Sequence, residues 1–338
     1  MHKIPVNEAV GHVLCHDITR IIPGKEKGVG FRKGHVIREE DVAELQKLGK
    51  DHIYVWEVKP GMLHEDEAAE ILRRLCQGPN MLASEPREGK IELTAQINGL
   101  FKIERGPLNA LNSLGELVIA ARHGDFLVKA GDKLAGMRVI PLVIEAEKMR
   151  RAAALAGPEP ILRLLPLRAK KSAIIATGNE IYFRRIEDAF TPAMAAKLAE
   201  YGSPVVFSAT SPDDSAHSAA LIREALHKGA ELILCCGGMS VDPDDLTPAA
   251  IRESGARVVC YGAPVLPGAM LMLAYHGAVP VIGLPGCAMY NKRTIFDLLL
   301  PRLLADDEIS AAELCALGEG GLCLNCQPCR FPECGFGK

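Results

Sequence analysis

Neither sign of charge dominates this sequence. Its 39 Lys and Arg stand against 42 Asp and Glu, a formal net charge of −3, which gives no support to general nucleic-acid binding. A secretory leader pattern is missing, because Met1-His2-Lys3 is not followed by an apolar core segment, so a cytoplasmic protein with its 11 cysteines reduced is expected. Long unbroken apolar runs are missing too. No Asp, Glu, Lys or Arg occurs from Val258 to Asn291, but Gly262, Pro264, Pro267, Gly268, Gly277, Pro280, Pro285 and Gly286 cut that stretch into pieces too short to cross a membrane. The run Gly24-Lys25-Glu26-Lys27-Gly28-Val29-Gly30 has the spacing of neither nucleotide-binding fingerprint and reads as a solvated turn. Gly238-Met239-Ser240-Val241-Asp242 lacks the second glycine of a nucleophile elbow, which argues against a serine hydrolase built on Ser240.

What is there divides into regions. A chain of 338 residues suggests two or three domains. Residues 1–58 read as an α+β unit, with a helix at 38–48 carrying Val42, Leu45 and Leu48 and ending at Gly49, then a strand at 53–56. Residues 59–168 read as β-rich after an amphipathic helix that starts near Leu63 and carries Ile71, Leu72 and Leu75. Gly157-Pro158-Glu159-Pro160 lies in the boundary that follows. From Ser172 the pattern becomes regular alternation. Strands are expected at 173–176, 204–207, 232–235, 258–261 and 279–282, with helices at 215–228, 246–253 and 289–304. That alternation predicts a doubly wound, mostly parallel α/β sheet over 169–310, preceded by smaller α+β or β-rich domains and followed by a cysteine-rich tail at 311–338. Cys235 and Cys236, inside a predicted buried strand, read as small core residues.

In such sheets ligands bind beyond the carboxyl ends of the strands. Four turns there qualify: Thr177-Gly178-Asn179-Glu180, Ser211-Pro212-Asp213-Asp214, Gly237-Gly238-Met239-Ser240-Val241-Asp242-Pro243-Asp244-Asp245, and Gly283-Leu284-Pro285-Gly286. The glycines let backbone N–H groups approach an anion. The aspartates carry the opposite sign, so a metal ion between them and an anionic substrate would reconcile the two. Helix capping by at least one of Asp213 and Asp214, and by Asp244 or Asp245, is the competing reading.

As a set, these turns resemble the molybdopterin-binding domain shared by molybdenum-cofactor biosynthesis proteins, among them molybdopterin molybdotransferases and gephyrin. The resemblance covers residues 172–304, about two-fifths of the chain. It implies binding of a pterin phosphate through Thr177, Gly178, Asn179, Glu180, Gly237, Gly238, Met239, Ser240, Leu284, Pro285 and Gly286. It also implies Mg²⁺ at Asp213, Asp242 and Asp245, with Asp214 and Asp245 supporting chemistry on adenylylated molybdopterin and molybdate. Val6-Asn7-Glu8-Ala9-Val10-Gly11-His12 resembles the opening of molybdotransferases, but that family's Ser-Ala-x-Asp-Gly stretch is missing. Its Pro-Gly-Lys-Pro has become Pro267-Gly268-Ala269-Met270, which removes a charge contact of typically about 1.5 to 3 kcal/mol. Two readings follow: a molybdotransferase-like enzyme, or a non-catalytic carrier, sensor or insertion chaperone serving a molybdoenzyme. A nucleotide-processing hydrolase is the more distant alternative, and a homo-oligomer is expected.

Cys323, Cys326, Cys329 and Cys334 close the chain with a C-x2-C-x2-C spacing and a fourth cysteine five positions on. Four thiolates suit Zn²⁺, while the spacing leans toward an iron–sulfur cluster. The glycines around them predict a tail with little core of its own, ordered by metal.

Overall fold

The computed structural model describes residues 2–22, 26–55 and 60–338; Trp56 and the start of the Gly24–Gly30 run lie outside these. The chain divides into two compact units, one from Met1–Ile97, Phe101–Gly124 and Lys129–Leu164, the other from Asn98–Leu100, Asp125–Val128 and Leu165–Lys338.

In the first unit, strand His2–Pro5 pairs antiparallel with His52–Val55. Val6, Leu14, Ile18, Ile37, Leu45 and Ile53 close a small core. The expected helix is Glu39–Lys47, with Leu45 buried and Val42 and Leu48 at the margin. The solvated turn expected at 24–30 is, from Glu26 onward, strand Glu26–Phe31 paired with Ile18–Ile22. Helix Glu65–Cys76 starts where His64 and Glu67 form a reciprocal capping box, and it buries Ala68, Ala69, Leu72 and Cys76. Ile71 and Leu75, expected on the inner face, are only half-buried because the stripe is centred on the small alanines. An antiparallel four-stranded sheet follows the order Met81–Ala83, Lys90–Ala95, Lys133–Val139, Leu117–Ala121.

The second unit is the α/β domain. In chain order it contains β1 (Ser172–Thr177), α1 (Asn179–Tyr182), α2 (Phe190–Ala199), β2 (Val205–Ser211), α3 (Ser215–His227), β3 (Leu232–Cys236) and α4 (Thr247–Glu253). Then come β4 (Arg257–Tyr261), β5 (Met272–His276), β6 (Val279–Leu284), α5 (Ile295–Leu304) and α6 (Ala311–Ala316). The six-stranded sheet has the order β2-β1-β3-β6-β5-β4. β2, β1, β3 and β6 pair in parallel, and β5 is antiparallel to both of its neighbours.

Strands covered on both faces read as continuous apolar runs, and alternate residues serve opposite layers. Ile174, Ala176, Leu234 and Ile282 pack with Met194, Leu198, Phe296 and Leu299 from α2 and α5. Ala173, Ile175, Ile233 and Val281 pack on the other face with Ile222, Ala225 and Ile251 from α3 and α4. Each fully buried Ile or Leu contributes about 1.5 to 3 kcal/mol of transfer free energy, so these two layers hold the sheet between the helices. Cys235 and Cys236 are the expected core residues on opposite faces; burial pushes the Cys235 thiol up to about 12 and raises that of Cys236 as well.

Three expectations are corrected here. β5 lies within the uncharged run and was not expected as a strand; its residues 272–275 are buried on both faces, so no alternation marks it. The last helix begins at Ile295 rather than at 289, because Thr294 and Asp297 form a capping box there. α4 takes no cap from Asp244 or Asp245: Leu246 holds the cap position without a side-chain bond.

The tail is corrected too. Leu266 N–H donates to Gly321 O at 2.8 Å and Cys323 N–H to Leu266 O at 2.8 Å, while Phe336 is 4% exposed in the layer under α5. Aromatic side chains, which the glycine content conceals, thus give it a core. Among the described residues no three His, Cys, Asp or Glu are grouped to hold a metal, so Cys323, Cys326, Cys329 and Cys334 do not converge on one point.

Candidate functional site

Register decides whether the four turns share one edge. Thr177 stands opposite Ser211 in the β1–β2 ladder, Ala176 opposite Cys236 in β1–β3, and Cys236 opposite Leu284 in β3–β6. All four parallel strands therefore end at the same level, and the turns that follow leave together.

Bonds between the turns tie them. Gly178 N–H donates to Ser211 O at 3.0 Å. Asn179 N–H donates to Asp213 Oδ2 at 3.1 Å, and Asp213 N–H donates back to Asn179 Oδ1 at 3.3 Å. Beneath the third turn, Thr177 Oγ1 donates to Cys236 O at 3.2 Å and lies 2.9 Å from Thr247 Oγ1, which donates to Gly237 O at 2.8 Å. Thr247 N–H also donates to Gly238 O at 3.1 Å. Thr177 and Thr247 are both buried, so each hydroxyl needs these partners.

That packing explains two glycines. Gly237 has φ +99°, and a Cβ there would stand 2.5 Å from Thr177 O; Gly238 has φ +56°, and its Cβ would stand 2.8 Å from Thr247 Oγ1. Gly286 differs: its φ is ordinary and a Cβ would meet nothing within 4 Å. It lies exposed, after a buried Pro285 and Leu284. Among the described residues the N–H groups of Gly238 and Gly286 have no acceptor, so both remain able to donate to a ligand.

The other expected site residues divide. Asn179 is half-buried and Ser240 exposed on the same edge. Glu180 is exposed, and its carboxylate bends back over Gly178. The Met239 side chain is buried against Gly283 under the turn, so only its backbone, whose carbonyl accepts from Tyr261 Oη at 2.9 Å, belongs to the surface. Asp214 Oδ1 accepts His217 N–H at 3.0 Å as the cap of α3, which matches the capping reading. Asp245 Oδ2 accepts Asp242 N–H at 3.1 Å and closes its own loop. Asp213, Asp242 and Asp245 form no three-donor group. Mg²⁺ does not require one, since it is commonly held by one or two carboxylates together with ligand phosphates and water.

Thr247 and Tyr261 were not foreseen. Thr247 stands beside Pro248 and looks like an ordinary helix start, and Tyr261 ends an edge strand; only the fold brings either under the turn. Ser211 Oγ lies 2.9 Å from His217 Nδ1 and 2.7 Å from Ser218 Oγ, but it is fully buried and serves the interior.

Residues 173–305 match the family described as a probable molybdopterin binding domain, and residues 3–57 match a domain of unknown function. A CinA-like protein from Fervidobacterium nodosum is 38% identical over 88 residues, 26% of this chain and 21% of the relative. One from Thermosipho melanesiensis is 31% identical over 112 residues, covering 33% and 28%. The chain therefore spans less than a third of the length of these curated relatives. Among solved structures, CinA from Thermoplasma acidophilum aligns at a TM-score of 0.36 and 19% identity, over 40% of this chain and 98% of that one. A molybdopterin biosynthesis MoeA protein from Pyrococcus horikosii aligns at 0.34 and 17%, over 73% and 81%.

Proposed function

We propose, from the premise that residues 173–305 are a molybdopterin-binding domain, that this chain binds molybdopterin or the finished molybdenum cofactor in the biosynthesis or handling of that cofactor. The observation that carries the reading is the shared edge, where four strand ends present the acceptor-free N–H groups of Gly238 and Gly286 beside Thr177, Asn179 and Ser240. Backbone donors held by a rigid sheet suit a phosphate, since they need no reorganisation to bind it.

The turns also carry Glu180, Asp213, Asp214, Asp242, Asp244 and Asp245 and no lysine or arginine. An anionic ligand there needs a counter-charge, and Mg²⁺ held by Asp242 and the free oxygen of Asp245 together with ligand oxygens would supply it. When bound, the ion would offset the negative charge of the ligand's phosphate; Asn179 and Ser240 would orient the pterin.

Between enzyme and carrier, the geometry favours the carrier. The carboxylates assigned to catalysis, Asp214 and Asp245, both accept backbone N–H groups of their own loops, and Ala269-Met270 provides no cation. Molybdate would then be cargo already inserted, and a molybdoenzyme the acceptor. Among the described residues the tail cysteines form no grouped donor set for an iron–sulfur cluster or zinc.

Titration of the full chain with molybdopterin, with and without Mg²⁺, tests the binding. Gly286→Asp puts a carboxylate into open space at the anion position and is expected to weaken binding at least about tenfold with an unchanged unfolding midpoint. Unaltered affinity in that variant rules out this edge. AMP release from adenylylated molybdopterin with molybdate and Mg²⁺, above background and abolished by Asp245→Asn, would reject the carrier in favour of the transferase.

A further inference from the structure

The first unit contains a cavity of about 610 Å³ that no part of the proposed function uses. Its lining combines Tyr54 and His16 with three acids, Asp17, Glu65 and Glu88, and three bases, Lys47, Lys50 and Arg138. Two of these groups lack the partners that buried polar atoms normally have. Glu65 is 6% exposed, and no hydrogen bond or ion pair reaches its carboxylate among the described residues. His16 Nδ1 is buried with no hydrogen-bond partner.

The neighbours do not satisfy them. His64 is occupied, with Nε2 at 2.8 Å from Cys15 O and Nδ1 taking Asp66 N–H at 3.1 Å. Asp66 accepts Lys33 Nζ and Gly89 N–H, and Asp17 accepts Lys33 N–H. Gly89, with φ +67°, brings the loop so close that a Cβ there would stand 2.9 Å from Glu65 Oε2. Burial, followed by the Asp66 charge, raises the carboxyl to about 7, with Arg138 and Lys33 pulling the other way.

We infer that this cavity is a second ligand site, for a planar amino-heterocycle carrying an anionic group, the chemistry of a purine or pterin monophosphate. Ring N–H groups would donate to the Glu65 carboxylate, which no protein donor reaches among the described residues and which lines the cavity. Tyr54, 45% exposed, offers a face on which a flat ring can stack. Lys47, Lys50 and Arg138 supply the positive charge that a phosphate needs and that the other unit's turns lack. The volume lies within the range of ligand pockets of nucleotide size.

The test uses the full chain and three probes, guanosine 5′-monophosphate, inosine 5′-monophosphate and inorganic phosphate, read by calorimetric titration. Guanosine monophosphate is expected to bind at least about fivefold more tightly than inosine monophosphate, which lacks the 2-amino donor, and more tightly still than phosphate. Glu65→Gln and Lys50→Ala should each weaken it at least about tenfold, while Gly286→Asp in the other unit leaves it unchanged. Either of two results overturns the proposal: affinity within about twofold of wild type in both first-unit variants, or no binding of any probe at about 5 mM. A loss confined to Gly286→Asp is the first of these results and assigns the probe to the sheet edge.

Discussion

At the sheet edge of the α/β unit the donors are backbone N–H groups and the charged side chains of the turns are all acidic, whereas the first unit's cavity is lined by Lys47, Lys50 and Arg138 together with Asp17, Glu65 and Glu88, and no hydrogen bond or ion pair reaches the Glu65 carboxylate among the described residues. Polar groups at the edge are mostly paired with one another, so its rigidity is built from the bonds of Thr177, Thr247, Asn179 and Asp213. In the cavity the key groups are left unpaired. A surface that satisfies itself needs an external counter-ion to take an anion, while one that does not is completed by its ligand.

The largest expected effect tests the edge. Gly237→Ala adds a Cβ at φ +99° and 2.5 Å from Thr177 O, which should cost about 3 to 4 kcal/mol in urea unfolding and abolish pterin binding. A loss under 1 kcal/mol would mean that the turn gives way easily and the claimed rigidity is absent.

Next comes the cavity. Glu65 faces Asp66 and Glu88 as well as Arg138 and Lys33, and its folded pKa of about 7 lies above the ordinary 4.5. Between those values the folded state binds more protons than the unfolded one, so stability contributed by this group is present at low pH and lost as pH rises through 7. Glu65→Gln should therefore gain on wild type between pH 5 and pH 8, by up to about 2 to 3 kcal/mol in denaturant midpoints converted to free energy. A pH-independent difference would mean the acid is solvated or paired.

A smaller effect is expected from Thr177→Val, which keeps the volume but leaves Thr247 Oγ1 and Cys236 O short of a partner, at about 1 to 2 kcal/mol. Pterin affinity measured alongside should fall with it if the edge is held by this hydroxyl pair. Smallest is the cap. Asp214→Ala should cost about 1 kcal/mol and Asp214→Asn only a few tenths, with molybdopterin binding the same in both; a binding loss in the asparagine variant would return a functional role to the carboxylate.

Most of the α/β unit was legible because strands covered on both faces need unbroken apolar runs, as in Ser172–Thr177 and Leu232–Cys236, and because glycine and aspartate mark the turns between them. Met272–His276 was not, since a strand inside a longer uncharged run has no contrast to mark it. The tail misled through its glycines, while Phe336 carried the packing. In the first unit neither Glu65 nor His16 stood out, because an acid at a helix start is an ordinary capping-region residue until burial removes its water.

From sequence alone came the doubly wound layout and the four turns, both of which depend on local periodicity and turn chemistry. Which polar groups in those turns stay available was decided only by the fold: Asp214 and Asp245 are committed to nearby N–H groups, Thr247 enters from another helix, and Glu65 is enclosed by the Gly89 loop. Hydrogen bonds form between groups that meet in space, and side-chain identity does not record which of them will meet.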